Sequence, residues 1–140
     1  MLELKVSPAI IDELSAIVEP ANVIFDEDAQ RRFLNDFHWY SPLLADALSE
    51  LSADAVVRPG SLAELEQVVT LAVRQRIAMT FRGAGTGNYG QSRPLEGGLL
   101  VDVRRINTVV SVTTGHITVE CGTVMEDAEA AANATGQELR

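Results

Sequence analysis

The 140-residue sequence holds a single cysteine, Cys121, so no disulfide can form within the chain. A reducing, cytoplasmic setting is the resulting expectation. Histidine is nearly as scarce. His38 and His116 stand far from each other and from Cys121, and no ligand-spaced pair is available to build a metal site. No apolar run reaches 18 residues, so no transmembrane helix is expected. The first residues lack the basic start, compact apolar stretch and small-residue cleavage site of a secretory signal. Positive charge is in short supply: eleven Lys and Arg face twenty Asp and Glu, for a net charge of −9, and they are scattered. Nucleic acids and anionic membranes need clustered positive charge, so neither is an expected partner.

The residues that are present suit one compact soluble domain. The chain is 46% hydrophobic, enough for a core, and 22% charged. Two zones differ in character. Residues 1–50 are helix-like, acidic and poor in glycine, whereas residues 51–140 alternate strand-like and helix-like segments. In the first zone Ser7 and Pro8 open a helix whose apolar face is Ile10, Ile11, Leu14 and Val18, and Pro20 stops it. Further helices are expected over residues 26–37 and from Ser41-Pro42 through Leu43, Leu44, Ala47, Leu48 and Leu51. Phe33, Phe37, Trp39 and Tyr40 form an aromatic cluster with two readings, a small packing core or a surface toward another part of a larger protein.

In the second zone Ala55-Val56-Val57 reads as a short strand ended by Pro59-Gly60. Ser61 and Glu64 predict a capping box ahead of a helix running to about Gln75. Residues 77–81 read as a buried strand, which makes a βαβ beginning. A second buried strand is expected over residues 99–103, then a hairpin of residues 109–112 and 117–121. Thr123 and Glu126 predict another capping box, opening an alanine-rich helix that ends near Gly136. The fold class is therefore α+β, a small mixed sheet flanked by helices and preceded by a helical segment.

Between the two buried strands lies the segment with chemistry in it: Arg82, Gly83, Ala84, Gly85, Thr86, Gly87, Asn88, Tyr89 and Gly90. Four glycines in nine residues let a ligand approach the main chain, and successive amides in such a turn make a nest for an anion, typically a phosphate. Gly85, Gly87 and Gly90 even match the dinucleotide pattern G-x-G-x-x-G, with Asp102 near where a ribose-binding acid would stand. That pattern requires a helix to start at the third glycine. Here Pro94, Gly97 and Gly98 come soon after and oppose a helix, so a nicotinamide Rossmann fold is excluded. The ATP-binding G-x-x-x-x-G-K-[ST] pattern is absent as well. Arg82 and Arg93 have two readings, facing phosphates or solvated in the loop. Cys121 reads as a small strand residue, His116 as exposed, His38 as part of the aromatic cluster and Asp102 as a strand-end cap.

Val56-Val57-Arg58-Pro59, the glycine loop of residues 82–87, Pro94-Leu95-Glu96-Gly97-Gly98, Leu99-Leu100-Val101-Asp102, Arg105-Ile106-Asn107 and residues 117–122 occur in a distinctive order. Together they resemble the first subdomain of the FAD-binding domain in the vanillyl-alcohol oxidase and para-cresol methylhydroxylase superfamily. The resemblance is nearest to the FAD subunit of glycolate oxidase and to D-lactate dehydrogenases. It implies FAD as cofactor, with the loop of Arg82, Gly83, Ala84, Gly85, Thr86, Gly87, Asn88 and Gly90 around the pyrophosphate and Pro59 against the cofactor. Thr86 stands where some relatives carry a flavin-linked histidine, which implies non-covalent FAD. Relatives continue into a second FAD subdomain and a substrate domain, so catalytic residues are not expected within these 140 residues. The partners implied are FAD and the remaining half of a flavoprotein or another subunit. An exposed sheet edge or apolar face, left without its neighbours, is expected to drive self-association to a dimer or larger. Two other readings stay open: a non-catalytic binding or assembly module, and a cell-wall precursor reductase of the same superfamily.

Overall fold

The computed structural model describes residues 6–36 and 41–140. Along them run α1 (Pro8–Val18), β1 (Val23–Ile24), α2 (Glu27–Leu34), α3 (Pro42–Ser49), β2 (Ala55–Val57), α4 (Leu62–Gln75), β3 (Met79–Arg82), β4 (Leu99–Asp102), β5 (Val109–Thr113), β6 (His116–Val119) and α5 (Met125–Asn133).

Four of the strands form one sheet in the order β1-β2-β4-β3. β1 is antiparallel to β2, while β2 and β3 both pair in parallel with β4. Strand β4 is the last of these four in the chain but slots between the two strands that α4 connects. Alternation along the central strands sorts their side chains onto two faces. Ala55, Val57, Leu99 and Val101 pack with Leu14 and Val18 of α1 and Val68, Leu71 and Ala72 of α4. Val56 and Leu100 pack on the opposite face with Phe33 and Leu34 of α2. Both faces are covered, which is why β2 and β4 carry no polar residue before Asp102. The mixed sheet with flanking helices is the α+β fold expected from the sequence.

Several helix ends match the sequence reading, and two do not. Pro8 opens α1, and Asp26 caps α2 by accepting the Ala29 N–H at 2.9 Å. Ser61 accepts the Glu64 N–H at 3.2 Å, and the Glu64 carboxylate accepts the Gly60 N–H at 2.7 Å, one residue further back than in the usual box. The box expected from Thr123 and Glu126 does not form. Helix α5 starts at Met125, and Thr123 is drawn toward the hairpin, where its hydroxyl reaches the Thr108 carbonyl. Helix α2 stops at Leu34 rather than reaching residue 37. Phe37, His38, Trp39 and Tyr40 lie outside the described residues, and with them most of the aromatic cluster.

The strand expected as buried over residues 77–81 is Met79–Arg82, and Phe81 is 50% exposed. Ile77 instead donates its N–H to Ala72, closing the end of α4 after left-handed Arg76. Because β4 takes the central place, β3 becomes an edge, and its outward side chains meet solvent. Cys121 is exposed in the turn beyond β6 rather than in the strand.

Candidate functional site

The parallel strands β2, β4 and β3 end along one edge of the sheet. Beyond these ends lie Arg58-Pro59-Gly60, the turn of residues 103–105 and the glycine loop. In parallel sheets ligands gather outside the carboxyl ends of the strands, where loops converge and no strand continues.

Arg82 closes β3 and turns inward, only 6% exposed. Its Nη1 donates to the Gly83 carbonyl and its Nη2 to the Asn35 carbonyl, each at 3.3 Å. The guanidinium lies directly behind Gly85, where a Cβ would come within 2.1 Å of Nη2. Gly85 also has φ +69°, so backbone conformation and space both demand glycine there. Gly87 backs onto the Gln91 amide and the Asp36 carboxylate, and Gly90 onto Leu48. The inner side of the loop is thus pressed onto the residues just after α2, onto α3 and onto its own base.

Among the described residues, no acceptor takes the backbone N–H groups of residues 84–88. The Tyr89 N–H goes to Gln91 Oε1 at 3.1 Å and the Arg93 N–H to the Gly90 carbonyl at 2.9 Å. Ala84, Thr86 and Asn88 are exposed, Gly83 and Gly87 half-buried, and Gly85 and Gly90 buried. A run of unspent amides on a braced, glycine-rich turn has the donor set that a phosphate anion takes. No helix follows, as residues 91–98 are a series of turns. The loop therefore works without a helix dipole, in agreement with the exclusion of a Rossmann fingerprint. Pro59 is fully buried at the bend that leads into α4.

Arg93 fits neither sequence reading, phosphate-facing or solvated. It is 8% exposed and donates to Leu34, Leu51 and Ser49 carbonyls at 3.1, 3.1 and 3.4 Å and to Asn35 Oδ1 at 2.7 Å. It holds the ends of α2 and α3 together beneath the loop, where helix carbonyls lack intrahelical donors. Ser92 adds a 2.5 Å hydrogen bond to Asp36. Sequence reasoning missed Asp36 and Ser92, because the partners stand 56 residues apart and no local pattern links them.

Asp102 is fully buried at the end of β4. It accepts the Arg104 N–H at 3.1 Å, as a strand-end cap, but also takes Arg104 Nε at 2.9 Å and Nη2 at 2.7 Å. Burial pushes its carboxyl upward, yet the Arg104 hydrogen bonds, with the charges of Arg104 and Arg58, outweigh that and hold it below the usual carboxylate value. His116 is exposed on the hairpin, remote in sequence from the loop.

The FAD binding domain family model matches residues 53–140. An uncharacterized FAD-linked oxidoreductase of Mycobacterium tuberculosis is 30% identical over 124 residues, 87% of this chain and 26% of that protein. A glycolate oxidase subunit of Bacillus subtilis is 29% identical over 65 residues, 46% of this chain and 14% of that protein. Among solved structures, 4-ethylphenol oxidase from Gulosibacter chungangensis matches with a TM-score of 0.75 at 25% identity, over 90% of this chain and 24% of that one. The chain thus spans about a quarter of the length of the Mycobacterium relative and of the solved oxidase. Among the described residues no helix is long and apolar enough to cross a membrane.

Proposed function

The chain belongs to the FAD binding domain family, and from that premise we propose that it is the N-terminal FAD-binding portion of a flavin-dependent oxidoreductase acting on a small 2-hydroxy acid. The similarity to a glycolate oxidase subunit supports a substrate of the glycolate or D-lactate type. The observation that carries the reading is the run of unspent amides over residues 84–88, on a loop anchored from behind by Arg82, Gln91 and Leu48.

In this reading Gly83, Ala84, Gly85, Thr86, Gly87, Asn88 and Gly90 hold the FAD diphosphate through the main chain. Arg82 acts behind them by fixing the Gly83 carbonyl, and Pro59 shapes the neighbouring bend. Thr86 offers a hydroxyl rather than an imidazole at the exposed tip, so FAD is held without a covalent link there. FAD, when bound, supplies the acceptor for the hydride that leaves the hydroxy acid. The residues of this chain bind and orient. The groups that contact substrate, and those that complete the FAD site, come from the remainder of the flavoprotein or another subunit.

Hydrogen bonds from three or four amides to a charged phosphate contribute roughly 5–12 kcal/mol, against an association cost of about 4–15 kcal/mol. The near-balance implies weak binding by this chain alone. The test is a titration of the purified chain with FAD, read by flavin fluorescence, beside Gly85→Val. Weak binding that disappears in the variant supports the loop assignment. Equal affinity in the variant would remove the loop from the site, and sub-micromolar affinity of the parent chain would refute the weak-binding estimate.

A further inference from the structure

Arg58 leaves β2 at the same sheet edge, and its guanidinium is underused. The side chain is 29% exposed, while its Nε is buried without a hydrogen-bond partner. Among the described residues nothing accepts a hydrogen bond from any of its guanidinium nitrogens. Asp102 Oδ2 lies 3.5 Å from Nε, an ion pair without a hydrogen bond, and it takes its hydrogen bond from Arg104 Nη2 instead. The guanidinium stands 5.8 Å from the Phe33 ring centre, which Arg104 and Arg32 also approach, at 5.6 and 4.9 Å. Arg105 joins the group by donating to the Arg58 carbonyl at 2.6 Å. Two arginines, Arg58 and Arg104, therefore face one buried carboxylate, with Arg32 on the Phe33 ring, Arg105 on the Arg58 carbonyl and Glu64 on the Gly60 N–H, in a chain whose net charge is −9.

A desolvated donor with no acceptor is unfavourable, and guanidinium is the side chain whose planar fork matches phosphate and carboxylate oxygens. We infer that Arg58, backed by Arg104, is an oxyanion subsite that receives a phosphate or carboxylate group of a ligand lying over the strand ends. Arg104 is held by Asp102, and Phe33 gives the Arg58 fork an apolar wall that keeps it partly dry. Strands β2 and β3 flank β4, so Arg58 sits about two strand spacings, roughly 10 Å, from the start of the glycine loop. A dinucleotide or its co-substrate reaches across such a distance. The inference deepens the FAD reading and rests on it for the nature of the ligand. Two sources share the chemistry: the diphosphate of FAD and the carboxylate of a hydroxy acid.

The experiment is an NMR titration of the arginine Nε–H signals of the 140-residue chain. The probes are inorganic pyrophosphate and, separately, glycolate, and the Arg58 signal is assigned by its loss in Arg58→Lys. The expected result is a saturable shift of the Arg58 signal with a dissociation constant of order 1 mM for at least one probe. Arg58→Lys, which keeps the charge beside Asp102 but not the fork, should weaken that binding about tenfold when followed by calorimetry. A response to pyrophosphate that ADP displaces assigns the FAD diphosphate as the source; a response to glycolate alone assigns the carboxylate. An Arg58 signal unmoved by either probe, in a chain whose circular dichroism shows it folded, overturns the inference. Gly85→Val separates the two readings, since it should abolish FAD binding while the Arg58 shift persists. If FAD binding ignores Gly85→Val but the shift remains, the loop assignment fails and the subsite stands.

Discussion

Replacing Arg93 by methionine keeps most of the aliphatic stem and removes the guanidinium that joins the ends of α2 and α3. Among the described residues four acceptors lose a charged donor: the Leu34, Ser49 and Leu51 carbonyls and the Asn35 side chain. Hydrogen bonds to a charged group contribute about 1.5–3 kcal/mol each, but bonds sharing one donor group do not add. Two features set the net figure. Arg93 is 8% exposed, so its partners were protected from water in the parent. A cleft of about 660 Å³ opens between α2 and α3 with Arg93 in its wall, so water can reach some of the abandoned carbonyls. The expected loss is about 3–5 kcal/mol, since two or more buried carbonyls are left without a donor at about 1–3 kcal/mol each. In a chain of this length that lowers the thermal midpoint by roughly 10–20 °C. Thermal unfolding of cofactor-free protein, followed by far-ultraviolet circular dichroism, measures it. Arg93→Lys should recover only part of the loss, because one ammonium cannot span four acceptors. A midpoint within about 2 °C of the parent would refute the view that this side chain holds the loop's foundation.

Asp102→Asn strips the partly exposed Arg104 of its buried counter-charge and should cost about 1.5–3 kcal/mol in urea unfolding at neutral pH. The Asp102 carboxyl titrates below its ordinary value in the folded chain, so its contribution is complete above about pH 4 and is lost as pH falls further; a gap between parent and variant that failed to narrow at acid pH would contradict this. Ser61→Ala removes the cap of α4 and should cost about 1 kcal/mol by denaturant midpoint, with no change in slope. The open edge of β3, with Phe81 50% and nearby Leu95 68% exposed, predicts a dimer or larger by light scattering, and a strictly monomeric mass at high concentration would count against it.

Much of this molecule is written locally. Ser7-Pro8, Asp26 and Ser61 start helices because each supplies a cap or a preset backbone angle within a few residues of where it acts. Ala55-Val56-Val57 and Leu99-Leu100-Val101 are apolar at every position because both faces of their strands are covered, and that too can be read without coordinates. The glycine spacing of residues 83–90 and the turn-forming residues after it were enough to locate an irregular glycine-rich loop and to deny it a following helix. Where local reading failed, a competing contact intervened: Thr123 was taken by the hairpin, and β3 lost its burial to the strand placed beside it.

Tertiary structure alone decided three things. It placed β4 between β2 and β3, since strand order depends on which apolar faces close together and not on chain order. It turned Arg82 and Arg93 inward, onto carbonyls 42 to 59 residues away in the chain, where a sequence shows only arginines in a loop. It also brought Arg58, Phe33, Asp102 and Arg104 to one edge. Local signals act over a turn of helix or a pair of strands, whereas a charge is neutralised or left unspent by whatever the whole fold brings within a few ångströms of it.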